Sequence, residues 1–193
     1  MLPTVRHDAR VARTLVYLVR HGEQGIDGAL SPLGREQSHA LGAMLRDVSF
    51  TALHHSPVDR AVETAAILGS YLPAVPAHPC DFVADRTPIP SPSDAVPDRY
   101  APFLAAVPDE ERDDRAVRLR AAVNYLGGTG TEDRHELVVT HNFVVGWFVR
   151  HALDAPDWRW IGLNQANGGL TIVQWQDHHG PTLMSFNETG HLR

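Results

Sequence analysis

Residues 14–19 form a short, nearly uninterrupted apolar run, TLVYLV, which predicts a buried strand. A second short strand is expected over 52–55 and a third over 136–140 (ELVVT). Near the end of the chain, residues 170–175 and 182–186 read as two more strands. The Gly180-Pro181 pair between them predicts the turn of a hairpin. Helical signals fill the gaps. Ser31-Pro32 supplies an N-cap followed by proline at the first helical position, and opens a helix that should run to about residue 47. Ser56-Pro57 repeats that signal, and Val58, Ala61, Val62, Ala65 and Ala66 then recur at helical spacing as a buried face. Further helices are expected over 100–106, over 109–126 with Gly127-Gly128 ending it, and over 142–153. Residues 73–102 are proline-rich and aperiodic. They predict a long loop with a short strand near Val75, and long loops inside compact domains are often functional.

Strands alternating with helices predict an α/β chain built as a three-layer sandwich. Its sheet should be mainly parallel with an antiparallel edge strand, and helices should cover both faces. The length of 193 residues fits one domain. Residues 1–13 read as an N-terminal tail and 14–193 as the domain, with no repeat and no dividing linker.

Composition removes several classes of function. The formal charge is −6 and no basic run occurs, so a nucleic-acid partner is not expected. Every basic residue is arginine, a bias that a GC-rich genome would explain without any function. No apolar stretch approaches the length of a membrane span, so no membrane partner is expected. The first 13 residues lack the apolar core and small-residue cleavage site of a signal peptide. Cys80 is the single cysteine, which rules out an internal disulfide and a cysteine-based zinc cluster. It reads as a small core hydrophobe and fits a cytoplasmic location. The pairs His54-His55 and His178-His179 resemble metal ligands, but neighbours on a strand point to opposite faces, so no metal is expected. Trp147, Trp158 and Trp160 lie in or near apolar segments and are expected to pack there.

Chemistry concentrates at three strand-to-helix junctions. The first strand ends in Arg20-His21-Gly22-Glu23. The second ends in Ser56-Pro57, with Arg60 in the next helical turn. The third ends in Thr140-His141-Asn142. If the three strands are parallel, these junctions share the sheet edge at which open α/β sheets bind ligands. Two arginines and two histidines would then converge beside helix N-termini that offer N–H groups to an anion. The set suits a phosphoryl group, because arginine forks grip its oxygens and a neutral imidazole can attack phosphorus.

These segments resemble the histidine phosphatase superfamily, the phosphoglycerate-mutase-like clan. LVYLVRHGE is similar to its nucleophile motif, SPVDRAVETA to its second-arginine motif and VVTHNFVV to its second-histidine motif. LSPLGREQSHALG and the closing NETGHL are also similar to family segments. DRTPIPSPSD, NFVVGWFVRHAL and LNQANGGLTIV are closest to the branch of the mitochondrial phosphoglycerate-mutase-like Ser/Thr phosphatase. The resemblance implies a metal-independent phosphomonoester hydrolase with no cofactor. His21 would be its nucleophile, forming a phosphohistidine, and Arg20, Arg60 and His141 would bind the phosphoryl oxygens. His141 would serve best as a cation, while His21 must be neutral at its attacking nitrogen. The branch carries an acidic residue, usually glutamate, shortly before a proline in the loop after the second helix. Asp85 stands there in this chain, with Arg86 in place of a small residue, and would be the proton donor.

Four further side chains are candidates. Gln24 and Asn142 each follow a catalytic residue and are expected either to bind phosphate oxygens or to cap the next turn. Glu23 is expected to hold Arg20 or Arg60 from behind the site. Thr64 is expected to bond the carbonyl four residues earlier, as helical threonines do. The substrate would be a phosphorylated small molecule or a phosphoprotein. Two other functions compete with hydrolysis. A mutase of the phosphoglycerate type needs a site that excludes water, and the larger mutases carry a longer, more basic insertion before the third strand. A phosphate-binding module with little turnover is the other.

Overall fold

The computed structural model describes residues 11–193, so the expected tail lies almost wholly outside the described residues. Strand β1 (Arg13–Arg20) sits in the middle of a six-stranded sheet of order β3-β2-β6-β1-β7-β8. Its neighbours β2 (Ala52–His55), β3 (Ala77–Pro79) and β6 (Arg134–Thr140) continue a parallel ladder. β7 (Leu170–Gln176) and β8 (His179–Glu188) add an antiparallel edge. The expected mixed sheet with helices on both faces is what the chain forms.

The apolar run of β1 is continuous because both of its faces are covered. Val16 and Leu18 join the cluster with Leu119, Leu126, Trp147, Phe148 and Trp160, under α4 (Val117–Leu126) and α5 (Asn142–Ala152). Tyr17 and Val19 join Leu41, Leu45, Leu53 and Leu68, under α1 (Pro32–Leu45) and α2 (Asp59–Tyr71). Burying a Leu or Phe side chain stabilises by about 1.5–3 kcal/mol, so these two clusters dominate the free energy of folding. Cys80 is buried in the first cluster, as the sequence predicts.

Local signals hold where the chain has a cap. Ser31 Oγ accepts the Gly34 N–H at 3.0 Å, and Pro32 starts α1. At α2 the start is shifted: the cap position is Val58, which has no side-chain bond, and Ser56 Oγ, two residues earlier, accepts the Val58 N–H at 3.3 Å. The buried face of α2 is Ala61, Thr64, Ala65 and Leu68, whereas Val62 and Ala66 are exposed.

The region 73–126 differs most from expectation. Within the expected loop lie β3, a 3₁₀ turn at Asp81–Val83 and β4 (Thr87–Ile89). The expected helix over 109–126 is instead a 3₁₀ turn at Asp109–Glu111, then β5 (Arg112–Asp114), and only then α4. β4 and β5 form a small parallel pair that folds the loop back on the domain. Asp113 is buried, and its two carboxylate oxygens accept the N–H groups of Arg118 (3.1 Å) and Leu119 (3.0 Å). It therefore caps α4 from the strand before it, where the cap position, Ala116, has no side chain able to do so. A short helix α3 (Ala101–Ala105) lies between the two small strands. The hairpin turn between β7 and β8 falls at Asp177-His178, with His178 at φ +64°, rather than at Gly180-Pro181, which lie inside β8.

Candidate active site

β2, β6 and β1 are adjacent and parallel, so their C-terminal ends place three loops side by side. The ladder continues one residue into each loop: His21 N–H donates to Thr140 O at 3.0 Å, and Ser56 N–H to Val139 O at 2.9 Å. Arg20, His21, Arg60, Asp85 and His141 thereby line one pocket of about 380 Å³, with Glu23, Gln24, Asn142 and Asn167 also on its wall. The four basic residues and the loop acid expected from the sequence come together here.

The backbone around His21 is fixed by close packing. A Cβ on Gly22 would come within 2.3 Å of Gly34 O, and one on Gly34 within 2.1 Å of Glu23 O. Only glycines let the loop after β1 lie on the first turn of α1. Thr64 Oγ1 donates to Arg60 O at 2.8 Å, as expected of a helical threonine, and also accepts the Gly22 N–H at 3.1 Å. α2 thus holds both Arg60 and the loop of His21.

Nδ1 of the buried His21 lies 2.7 Å from Gly22 O, which fixes it as the protonated nitrogen. That leaves Nε2 with its lone pair facing the pocket, where Arg60 Nε donates to it at 3.1 Å. Burial, followed by the neighbouring Arg60 and Arg20 and opposed by the Gly22 carbonyl, lowers the imidazole to about 4. His21 is therefore neutral across the physiological range. A titration of its side chain by two-dimensional NMR should show a midpoint near 4, and a midpoint near the ordinary value of about 6.5 would contradict this environment.

His141 does not match the cation expected from the sequence. It is 2 % exposed, and burial together with His21, Arg60 and Arg20 pushes its imidazole well below the ordinary histidine value. Its Nδ1 faces Asp85 Oδ2 at 3.4 Å, and desolvation outweighs that single carboxylate. Its Nε2 shares a hydrogen bond of 2.8 Å with Ser56 Oγ. Ser56 Oγ thus serves both the start of α2 and His141, and its position before Pro57 gave no means of foreseeing the second role.

Asp85 Oδ2 accepts Arg60 Nη2 at 2.5 Å. Desolvation raises the Asp85 carboxyl above its ordinary value, against the pull of Arg60, Arg20 and Arg86. Arg20 Nη1 donates to Gln165 O at 2.6 Å, while its Nε is buried with no hydrogen-bond partner. A buried guanidinium donor without a partner is costly, and an anion in the pocket would satisfy it.

Glu23 departs from its expected place. Its Oε2 accepts the Ser31 hydroxyl at 2.6 Å, reinforcing the cap of α1 instead of holding Arg20 or Arg60. Gln24 lies on the pocket wall, and Asn142 does too, with its Oδ1 occupied by the Gln165 N–H at 2.7 Å. Sequence reasoning assigned no role to residues 165–169, yet they brace the site. Asn167 Nδ2 donates to His21 O (3.1 Å) and Gly22 O (3.3 Å). Gly168, at φ +68°, donates its N–H to Arg20 O at 3.0 Å. The run of amides and glycines just before a strand was the available signal. Among the described residues no three His, Cys, Asp or Glu side chains are grouped to hold a metal ion. Among them, too, no helix is long and apolar enough to cross a membrane.

Comparison with known proteins agrees with this geometry. A serine/threonine-protein phosphatase PGAM5, mitochondrial, of Caenorhabditis elegans is 31 % identical over 189 residues, covering 92 % of this chain and 63 % of its own length. Its Rattus norvegicus counterpart is 29 % identical over 188 residues, with the same coverage of 92 % and 63 %. The chain thus spans under two thirds of these relatives. The solved alpha-ribazole phosphatase of Shigella flexneri superposes with a TM-score of 0.67 at 19 % identity, over 90 % of this chain and 96 % of that one, and shares the fold. The model of the histidine phosphatase superfamily (branch 1) matches residues 16–86 and 90–189. With nearly the whole described domain matched, this chain belongs to the histidine phosphatase superfamily.

Proposed function

We propose that the chain hydrolyses phosphomonoesters through a phosphohistidine on His21, without a metal. The observation that carries this reading is the geometry of His21: a neutral imidazole, tautomer fixed by Gly22, presenting Nε2 among two guanidinium groups. A phosphoryl dianion entering the pocket draws Arg60 off His21 Nε2 and onto its own oxygens. It meets Arg20, His141, Gln24 and Asn142 on the other sides. Nε2 then attacks phosphorus in line with the ester oxygen. The bond from phosphorus to that oxygen breaks, and Asp85 supplies the proton that lets it leave as an alcohol. The Asp85 carboxylate next takes a proton from water, whose oxygen attacks the phosphohistidine, and inorganic phosphate and free His21 result. Arg20 and Arg60 stabilise the charge on the transferring group in both steps. His141 is neutral as the site stands, and the arriving dianion favours its protonated form, which would then donate to a phosphoryl oxygen.

The substrate class we propose is a phosphorylated small molecule or a phosphoprotein. The relatives named as protein phosphatases favour the second. We extend the proposal to a cytoplasmic setting on the free, buried Cys80 alone, although those relatives carry the word mitochondrial in their names.

A panel of phosphomonoesters with phosphopeptides included tests the reading. Turnover should release inorganic phosphate and should be unchanged by EDTA. Phosphoryl transfer between substrates without release of phosphate would favour a mutase, and binding without either would favour a module. Vanadate or phosphate soaked into crystals should sit within hydrogen-bond reach of Arg20, His21, Arg60 and His141 together, and an anion found elsewhere would overturn the assignment.

A further inference from the structure

A second concavity, of about 520 Å³, lies outside the phosphate pocket and is larger than it. It opens between the edge strand β3, the 3₁₀ turn at Asp81–Val83 and helix α4, and four rings line it. His54 and His78 have centroids 6.0 Å apart, His54 and Tyr125 5.9 Å, and Phe82 and Tyr125 6.0 Å. The floor is rigid: buried His54 is bonded to buried Glu136 at 3.0 Å, and Glu136 is held by Arg134 at 2.9 Å. The walls are not sealed. Phe82 is 42 % and Tyr125 55 % exposed, so these touching rings present open aromatic faces to the concavity. Two opposite charges also line it, Arg118 and Asp81, and neither is ion-paired among the described residues.

We propose that this concavity is a second ligand site, and that it takes a small aromatic zwitterion of the amino-acid class. An aromatic ring would lie against the continuous surface that these touching rings make, where edge-to-face contacts are favourable. Its carboxylate would pair with Arg118 and its ammonium with Asp81. A ring-bearing zwitterion is the small ligand that uses all three features, and a volume of about 520 Å³ suits a compact organic molecule.

The site also reaches the general acid. Asp81 and Phe82 belong to the 3₁₀ turn, whose last residue, Val83, accepts the Thr140 hydroxyl at 2.7 Å on its carbonyl. Asp85 follows two residues later. Thr140 directly precedes His141. A ligand seated against Phe82 presses on the segment that positions Asp85, so its occupancy is coupled to the placement of the proton donor. That last consequence rests on the function proposed above, whereas binding does not.

The test is an NMR titration of the whole chain with L-phenylalanine, 3-phenylpropionate and L-leucine. L-Phenylalanine at millimolar concentration should shift signals of Phe82, His78 and Tyr125, with a smaller shift at the Asp85 amide. 3-Phenylpropionate, lacking the ammonium, should bind more weakly, and leucine, lacking the ring, more weakly still. Arg118→Gln and Tyr125→Ala, both at exposed positions of α4, should each weaken L-phenylalanine by at least about tenfold, the scale of one lost charged hydrogen bond or ring contact. No shift at these rings with L-phenylalanine overturns the site. Equal affinity for leucine, or affinity indifferent to Arg118→Gln, overturns the ligand class. These readouts need no turnover, so they stand or fall apart from the phosphatase reading.

Discussion

Replacing His21 by alanine is expected to remove turnover almost completely while leaving the domain folded. Loss of an enzymatic nucleophile costs on the order of a million-fold, because no other group can form the covalent intermediate. The substitution should be mild for stability. His21 is one of two imidazoles 5.2 Å apart in a site crowded with positive charge, and its Nδ1 bonds only the adjacent carbonyl. The variant should keep its near-UV circular dichroism and its cooperative thermal transition. It should also keep an affinity for phosphate, since Arg20, Arg60 and His141 remain. Rapid quench with a ³²P-labelled substrate should trap an acid-labile phosphoenzyme in the wild type and none in the variant. Near wild-type turnover by His21→Ala, or an equal label in both proteins, would remove His21 from the reaction.

Asp85→Asn carries the second large effect, and its size depends on the leaving group. An alkyl oxygen cannot depart without a proton, so hydrolysis of alkyl phosphates should fall by about 10²–10⁴, the range of general acid catalysis. An aryl oxygen with a good leaving group departs as the anion, and formation of phosphohistidine from it should slow far less. The pH dependence follows from the direction of the shift. Burial raises the Asp85 carboxyl, so its protonated form persists to higher pH than an ordinary aspartic acid's, and activity on alkyl phosphates falls as pH rises through that value. Substrate reinforces this by drawing Arg60 away, since the arginine at 2.5 Å is the largest of the groups that oppose the shift. Comparing kcat/KM for an alkyl and an aryl phosphate between wild type and variant checks the assignment. Small and equal losses on both would exclude Asp85. Glu23, the other pocket carboxylate, is occupied by Ser31 and would not replace it.

The sequence by itself determined the sheet and the basic half of the site. Short apolar runs rich in β-branched and aromatic residues, such as 14–19 and 136–140, suit a strand covered on both faces, and a helix-capping signal after Leu30 fixed the start of α1. The Arg-His pair, Arg60 and His141 were legible because each stands at the end of such a strand or in the first turn beyond it. Adjacency of parallel strands then forces them together. Three-residue strands carry no readable period. β4 and β5 were therefore missed, and the acidic stretch 109–114 looked like the first turn of a helix when its Asp113 caps α4 from outside. Contacts made across the chain were also invisible. Arg20 binds a carbonyl 145 residues away, and Ser56 meets a histidine 85 residues away, so no local rule separates them from a surface arginine and a helix cap. The protonation of His141 belongs to the same class. Its type and position are in the sequence, but its charge is set by how much water the folded chain excludes and by which guanidinium groups surround it. Only the tertiary structure decides those two quantities.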